Sequence, residues 1–203
     1  MIKNLVFDFG KVLVDYDFES FFITNIPDMQ RCLRFAPVLH NETLQKELDR
    51  EEQPFDVIME RVISENREFE PEIRLFCDRY QEIITGEMAG MRDLLQHLKR
   101  EGFRLYGLTN WCSKVYATIN QFDIFKLLDG YVISSEEHLI KPEPAIYQRL
   151  FDRFQLKPEE SLFTDDKPEN IEGSRAVGMD GILFENAMQY ERDLRLILSN
   201  KNN

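Results

Sequence analysis

The sequence predicts an α/β protein: a parallel sheet core interrupted by an inserted helical domain. Short apolar runs end abruptly in polar residues, helical patterns separate them, and one stretch near the N-terminus is helical throughout. The runs are Leu5-Val6-Phe7 into Asp8, Leu105-Tyr106-Gly107-Leu108 into Thr109, Tyr131-Val132-Ile133 into Ser134, Ser161-Leu162-Phe163 into Thr164-Asp165, and Gly181-Ile182-Leu183-Phe184 into Glu185. Runs without polar alternation suit strands buried on both faces of a parallel sheet. Between them, Met91, Leu94, Leu95 and Leu98 follow helical spacing and stop at Gly102, while Ile146, Leu150 and Phe154 ride a helix with Pro144 in its first turn. Strand alternating with helix implies right-handed crossovers.

From Asp15 to Glu87 the rhythm breaks. Phe55, Ile58, Met59, Val62 and Ile63, then Ile73, Phe76, Cys77 and Tyr80, are all helical patterns. Residues 15–87 are therefore expected to form a helical domain inserted between residues 1–14 and 88–203. The insertion holds 18 acidic and 8 basic side chains, which is most of the chain's net charge of −12. Such acids commonly do no more than solvate helix faces.

At 203 residues the chain has room for one full core plus a small insertion. Its acidity excludes nucleic acid and anionic membrane as expected partners, because phosphate backbones and acidic lipids recruit positive surfaces. Cys32, Cys77 and Cys112 lie too far apart for a CxxC motif and are odd in number, so a reduced chain is expected. Asp8 and Lys11 break the only N-terminal apolar run, and no stretch approaches the ~20 apolar residues of a membrane span. The expected location is the cytoplasm.

In an open parallel sheet the carboxyl ends of the strands form the ligand crevice. Here those ends read Asp8, Thr109 and Asp165-Asp166, with Lys141 shortly after a fourth. Carboxylates, a hydroxyl and an ammonium converging on one point make a site for a divalent cation and an anion together. A carboxylate at the end of a buried strand is costly to desolvate unless a cation accompanies it.

Val6 to Leu13, Leu108-Thr109-Asn110, Lys141 to Tyr147, and Phe163 to Gly173 resemble, in order, spacing and type, the four motifs of the haloacid dehalogenase (HAD) superfamily of phosphohydrolases. The resemblance runs from Asp8 to about Phe184, and the insertion falls where the family keeps its cap. Within the family the chain is similar to bacterial α-D-glucose-1-phosphate phosphatases. The resemblance implies a Rossmann-like core with a helical cap and an aspartyl-phosphate mechanism on a small phosphorylated metabolite, with Asp8 as nucleophile. It implies Mg²⁺ held by Asp8, the backbone carbonyl of Gly10 and Asp166, with Asp165 a further ligand or an acceptor behind it. Thr109 and the Asn110 amide would bind phosphate oxygens, Lys141 would neutralise phosphate and nucleophile, and Asn170 would orient the acidic loop.

One position departs from the pattern. Most phosphatases of the family carry a second Asp, the general acid and base, where this chain has Gly10. Four readings stay open: a leaving group that needs little protonation, as in a sugar 1-phosphate; a proton supplied by Asp15 or Asp17; a regulatory protein that binds phosphate without turnover; or a metal-independent 2-haloacid dehalogenase. Trp111 could stack on a sugar but more commonly packs. Cys112 is a weak candidate thiol, and His138 is the one histidine near Lys141. Tyr16, Phe18, Phe21 and Phe22 enter the insertion, where most would pack its helices.

Overall fold

The computed structural model describes residues 1–200. The chain opens with β1 (Asn4–Phe7) and the short strand β2 (Val14–Tyr16). Five helices follow: α1 (Phe18–Asn25), α2 (Met29–Leu39), α3 (Glu42–Arg50), α4 (Phe55–Glu65) and α5 (Glu70–Asp78). The chain returns through β3 (Ile84–Glu87), antiparallel to β2. Then come α6 (Met91–Arg100), β4 (Arg104–Thr109), α7 (Val115–Gln121), β5 (Gly130–Ile133), α8 (Ser134–Glu137) and α9 (Pro144–Phe154). The last elements are β6 (Ser161–Asp165), α10 (Pro168–Ala176), β7 (Asp180–Leu183) and α11 (Ala187–Asn200).

Five strands form one parallel sheet in the order β5-β4-β1-β6-β7, with β1 at its centre. Alternation along each strand feeds two cores. Leu5, Phe7, Leu105 and Leu162 pack with Met91, Leu95, Leu98 and Tyr190 on one face; Val6, Tyr106, Leu108 and Phe163 pack with Ile146, Tyr147, Leu150 and Ile171 on the other. Both faces are covered, so both strand registers are apolar and no polar alternation shows in the sequence. Gly173 permits one close approach: a Cβ there would lie 2.7 Å from the Pro142 carbonyl oxygen, so only glycine lets α10 lie against the loop that carries Lys141.

The chain steps outward from β1 through β4 and β5, then reverses through β6 and β7. The crevice at that reversal is the ligand position of a doubly wound sheet. The register aligns the strand ends there, with Phe7 beside both Gly107 and Thr164. The stretch 15–87 differs from the all-helical expectation at its ends, where β2 and β3 form a two-stranded ribbon. Three and four residues are too few for a strand period to show. Among the described residues no helix is long and apolar enough to cross a membrane.

Candidate active site

Asp8 follows directly on β1, 8% exposed, with its amide donating to the Thr164 carbonyl at 2.9 Å. Its Oδ1 accepts from the Phe9 amide at 2.7 Å and faces Lys141 Nζ at 2.9 Å. Both contacts fall on Oδ1, which leaves Oδ2 as the oxygen able to attack a ligand. Burial pushes the Asp8 carboxyl up to about 7; Lys141 opposes the shift, and Asp165 and Asp166 add to it.

Lys141 is 2% exposed, and its ammonium meets three acceptors: Asp8 Oδ1, Asp165 Oδ2 at 2.7 Å and the Leu108 carbonyl at 3.0 Å. Burial alone would lower its pKa, but the two carboxylates outweigh burial and the net direction is up. With three donors and three partners, the Lys141 ammonium is fully engaged by Asp8, Asp165 and the Leu108 carbonyl. Asn110 fixes it from behind, accepting from the Lys141 amide at 2.8 Å and donating to its carbonyl at 3.0 Å. That clamp has no signature in the sequence, from which the Asn110 backbone amide is the expected phosphate contact.

Asp165 is fully buried at the end of β6 and saturated with donors. Besides Lys141, its oxygens accept from the Lys167 amide at 2.8 Å and from Asn170 Nδ2 at 2.9 and 3.0 Å. Asn170 thus orients the acidic loop as expected. Asp166 is half-buried and lines the cavity beside Asp8, its pKa raised by burial and then by Asp165. One carboxylate oxygen from each of Asp8, Asp165 and Asp166 lies within 4.8 Å of the others. Three carboxylates around a single ammonium leave excess negative charge in a buried place, which is what a hard divalent cation with oxygen ligands would relieve. The donor set therefore fits Mg²⁺. Asp8 and Asp166 face the cavity, whereas both Asp165 oxygens are already engaged by protein donors.

The cavity over these groups measures about 670 Å³ including its mouth. Asp8, Gly10, Asn110, Lys141, Asp166, Lys167 and Asn170 line it from the core; Tyr16, Phe18, Gln45, Asp49, Tyr80, Ile83 and Ile84 line it from the insertion. Thr109 is not among the lining residues; it lies buried at the end of β4. Trp111 lines the wall, 7% exposed, with Nε1 donating to the Tyr80 hydroxyl at 2.7 Å. The aromatics divide: Tyr16 and Phe18 reach the cavity, whereas Phe21 and Phe22 are buried among the helices.

Three sequence readings find no support here. Asp15 binds Lys11 Nζ at 2.6 Å and the Tyr16 amide at 2.9 Å, and Asp17 caps α1 through the Ser20 amide at 2.8 Å and hydroxyl at 2.6 Å, so neither reaches the cavity. Burial drives the Cys112 thiol up to about 12 and leaves it inert. His138 Nδ1 lies 2.8 Å from the Arg50 carbonyl, which ties α3 to the core.

A profile of haloacid dehalogenase-like hydrolases matches residues 2–178. Over 107 residues the chain is 28% identical to the chloroplast flavin mononucleotide hydrolase 1 of Arabidopsis thaliana, covering 53% of this chain and 44% of that protein. It is 24% identical to the D-ribitol-5-phosphate phosphatase of Bacteroides thetaiotaomicron over 98% of this chain and 100% of that protein. A HAD family enzyme from the same organism, solved with magnesium and inorganic phosphate, superposes with a TM-score of 0.75 at 19% identity, covering 92% of this chain and 96% of that one. The chain spans about half the length of the first curated relatives it matches.

Proposed function

The chain belongs to the haloacid dehalogenase-like hydrolase family, and from that premise we propose that it is a Mg²⁺-dependent phosphomonoesterase. Its substrate on this reading is a small phosphorylated metabolite, a sugar phosphate by preference. The observation that carries the proposal is the convergence of Asp8, Lys141 and Asp166 on one cavity at the carboxyl ends of the central strands. Relatives bearing phosphatase names lend support.

In the first step Asp8 Oδ2 attacks phosphorus in line and the alcohol departs; water then hydrolyses the aspartyl phosphate and regenerates Asp8. Lys141 keeps Oδ1 in place, so that Oδ2 faces the substrate. Asp165 and Asn110 hold Lys141 by its ammonium and by its backbone. Mg²⁺, held by Asp8, Asp166 and the Gly10 carbonyl, would supply the positive charge that lets an anionic carboxylate approach an anionic phosphate. Thr109 and the Asn110 amide, at the end of β4, are the proposed phosphate contacts. Residues 15–87 act as a cap that closes over residues 1–14 and 88–203 on the β2–β3 ribbon and excludes water.

A panel of sugar phosphates, flavin mononucleotide and 4-nitrophenyl phosphate, assayed for phosphate release with Mg²⁺, tests the proposal. Release must disappear with EDTA and with Asp8→Asn, and beryllofluoride must be trapped on Asp8. Phosphate release that survives either treatment overturns the mechanism. Metal-independent chloride release from a 2-haloacid would replace it with dehalogenation, and phosphate binding without turnover with a regulatory role.

A further inference from the structure

The general acid and base that position 10 lacks has another source in the fold. We propose that Asp49, on the insertion's helix α3, protonates the leaving oxygen and then deprotonates the attacking water; this rests on the phosphatase reading above. Among the described residues, three carboxylate residues line the cavity: Asp8, Asp166 and Asp49. The first two belong to the nucleophile and metal cluster, so Asp49 is the one free for proton transfer. No protein donor engages its carboxylate among the described residues, and its backbone carbonyl accepts from Ser134 Oγ at 2.6 Å.

Its position follows from the sequence of α3. Asn41 caps the helix by accepting from the Thr43 and Leu44 amides at 2.9 and 3.2 Å. Leu44 and Leu48 pack inward, so Gln45 and Asp49, four residues apart, share the adjoining stripe and line the cavity together. The end of α3 is then latched to the core at three consecutive residues. Asp49 is held through Ser134; Arg50 donates to the His138 carbonyl at 3.1 Å and pairs with Glu143; Glu51 accepts from the Ser113 amide and from its hydroxyl at 2.7 Å. A carboxylate on a cap would ordinarily swing with it, and this latch fixes Asp49 in the wall of the cavity that Asp8 and Asp166 also line. Burial pushes its pKa up to about 6, opposed by Lys167 and Lys141, which suits a group that must both give and take a proton near neutrality.

The balance closes. Asp8 Oδ2 bonds to phosphorus as the bond from phosphorus to the ester oxygen breaks, and protonated Asp49 gives that oxygen its proton, releasing the alcohol. Water then bonds to phosphorus, its proton returns to Asp49, and the acyl phosphate bond breaks to free Asp8 and phosphate.

The test is a series of substituted phenyl phosphates from 4-nitrophenyl to 4-methoxyphenyl, turned over with Mg²⁺ by wild type, Asp49→Asn and Asp49→Ala. In wild type kcat/KM depends weakly on the leaving group. In Asp49→Asn it falls by about 10²-fold or more for 4-methoxyphenyl phosphate and by no more than about threefold for 4-nitrophenyl phosphate, which needs no protonation. With 4-nitrophenyl phosphate the variant shows a burst followed by slow turnover, because the base is missing too. Formate restores Asp49→Ala on the poor leaving groups, a rescue that a merely structural role would not give. Parallel losses across the series, no loss, or rescue absent while folding is intact by circular dichroism overturn the inference. A wild type inert on every ester, or an active Asp8→Asn, overturns the phosphatase reading instead.

Discussion

The Tyr16 ring stands where any side chain at position 10 would begin: a Cβ on Gly10 would lie 2.9 Å from Tyr16 Cε1 and 3.7 Å from Trp111 Cζ3. Tyr16 cannot turn away freely, since its ring packs edge-on against Phe18 and Trp111 and Lys11 Nζ sits 4.6 Å from its centroid. Gly10→Asp, which restores the usual family carboxylate, should therefore lower activity on every substrate and cost roughly 1–3 kcal/mol of stability. Gly10→Asp with Tyr16→Ala should recover part of both. Comparing kcat/KM and thermal midpoints of the two variants checks this, and a single Gly10→Asp that gains activity refutes it.

Lys141→Met should destabilise the fold by about 3–5 kcal/mol at pH 8, because it strands Asp8 and Asp165 without a counter-charge. The pH dependence is what identifies the cause. In wild type the Lys141 pKa is raised, so its contribution is complete below the unfolded lysine value and constant through the neutral range. In the variant the Asp8 carboxyl, already raised by burial, loses the opposing Lys141 charge and rises further, so the deficit is small near pH 4 and grows as pH rises toward the folded Asp8 pKa. Urea unfolding in EDTA at pH 4.5, 6 and 8 measures it; a deficit independent of pH would mean lost packing instead.

The core of the site was legible because its residues sit on contiguous motifs at strand ends, where a polar residue interrupts an apolar run: Asp8 after Phe7, Asp165-Asp166 after Phe163. The two-way role of Asn110 was not, since a backbone clamp on Lys141, 31 residues away in sequence, leaves no trace in spacing. Asp49 was hidden for a related reason. On the sequence it is one of 18 acids in the insertion, and only the stripe it shares with Gln45 and the latch at Ser134 single it out. Thr109 ends β4 where its motif places it, and is buried there.

Arg31 and Glu72 tie α2 to α5, with Nη2 and Oε2 2.9 Å apart and a second contact through Nε. The Arg31 hydrogen bond holds the Glu72 carboxyl below its usual range despite its burial. A depressed folded pKa gives stability that is present above the unfolded value near 4.5 and lost as pH falls through the folded value. Glu72→Gln should thus cost about 2 kcal/mol at pH 7 and progressively less in acid. Denaturant midpoints of wild type and variant at pH 7 and pH 3.5 check it, and a gap that widens in acid contradicts it.

An acidic lid should repel a phosphate dianion, which would make KM fall as salt rises. The structure removes the premise. Arg31, Arg34, Lys46, Arg61, Arg74 and Arg79 pair with Glu72, Glu68, Glu42, Glu47, Glu60 and Glu82 away from the cavity, and Asp49 is the one acidic residue of α1–α5 that lines it. Charges more than ~8 Å away are screened at physiological ionic strength. KM should consequently change by less than about twofold between 50 and 200 mM salt. Initial rates across that range decide it, and a severalfold fall would return the acids to the cavity mouth.

The different surroundings of Asp165 and Asp166 make their proposed roles toward Mg²⁺ separable by experiment. Asp166 is half-buried, lines the cavity and offers its carboxylate, whereas Asp165 spends both oxygens on Lys141, Asn170 and the Lys167 amide. Mg²⁺ at ten times its dissociation constant should stabilise the folded chain by about 1.4 kcal/mol, a rise of roughly 3–6 °C in thermal midpoint for a chain of this size. Asp166→Asn should abolish that rise while barely changing the midpoint in EDTA, because it removes a carboxylate whose charge is already disfavoured by burial and then by Asp165. Asp165→Asn should do the reverse: a lower midpoint in EDTA, from an under-compensated Lys141, with a rise on adding Mg²⁺ still measurable. Scanning both variants with and without Mg²⁺ distinguishes the roles, and the opposite pattern would make Asp165 the ligand and Asp166 the bystander.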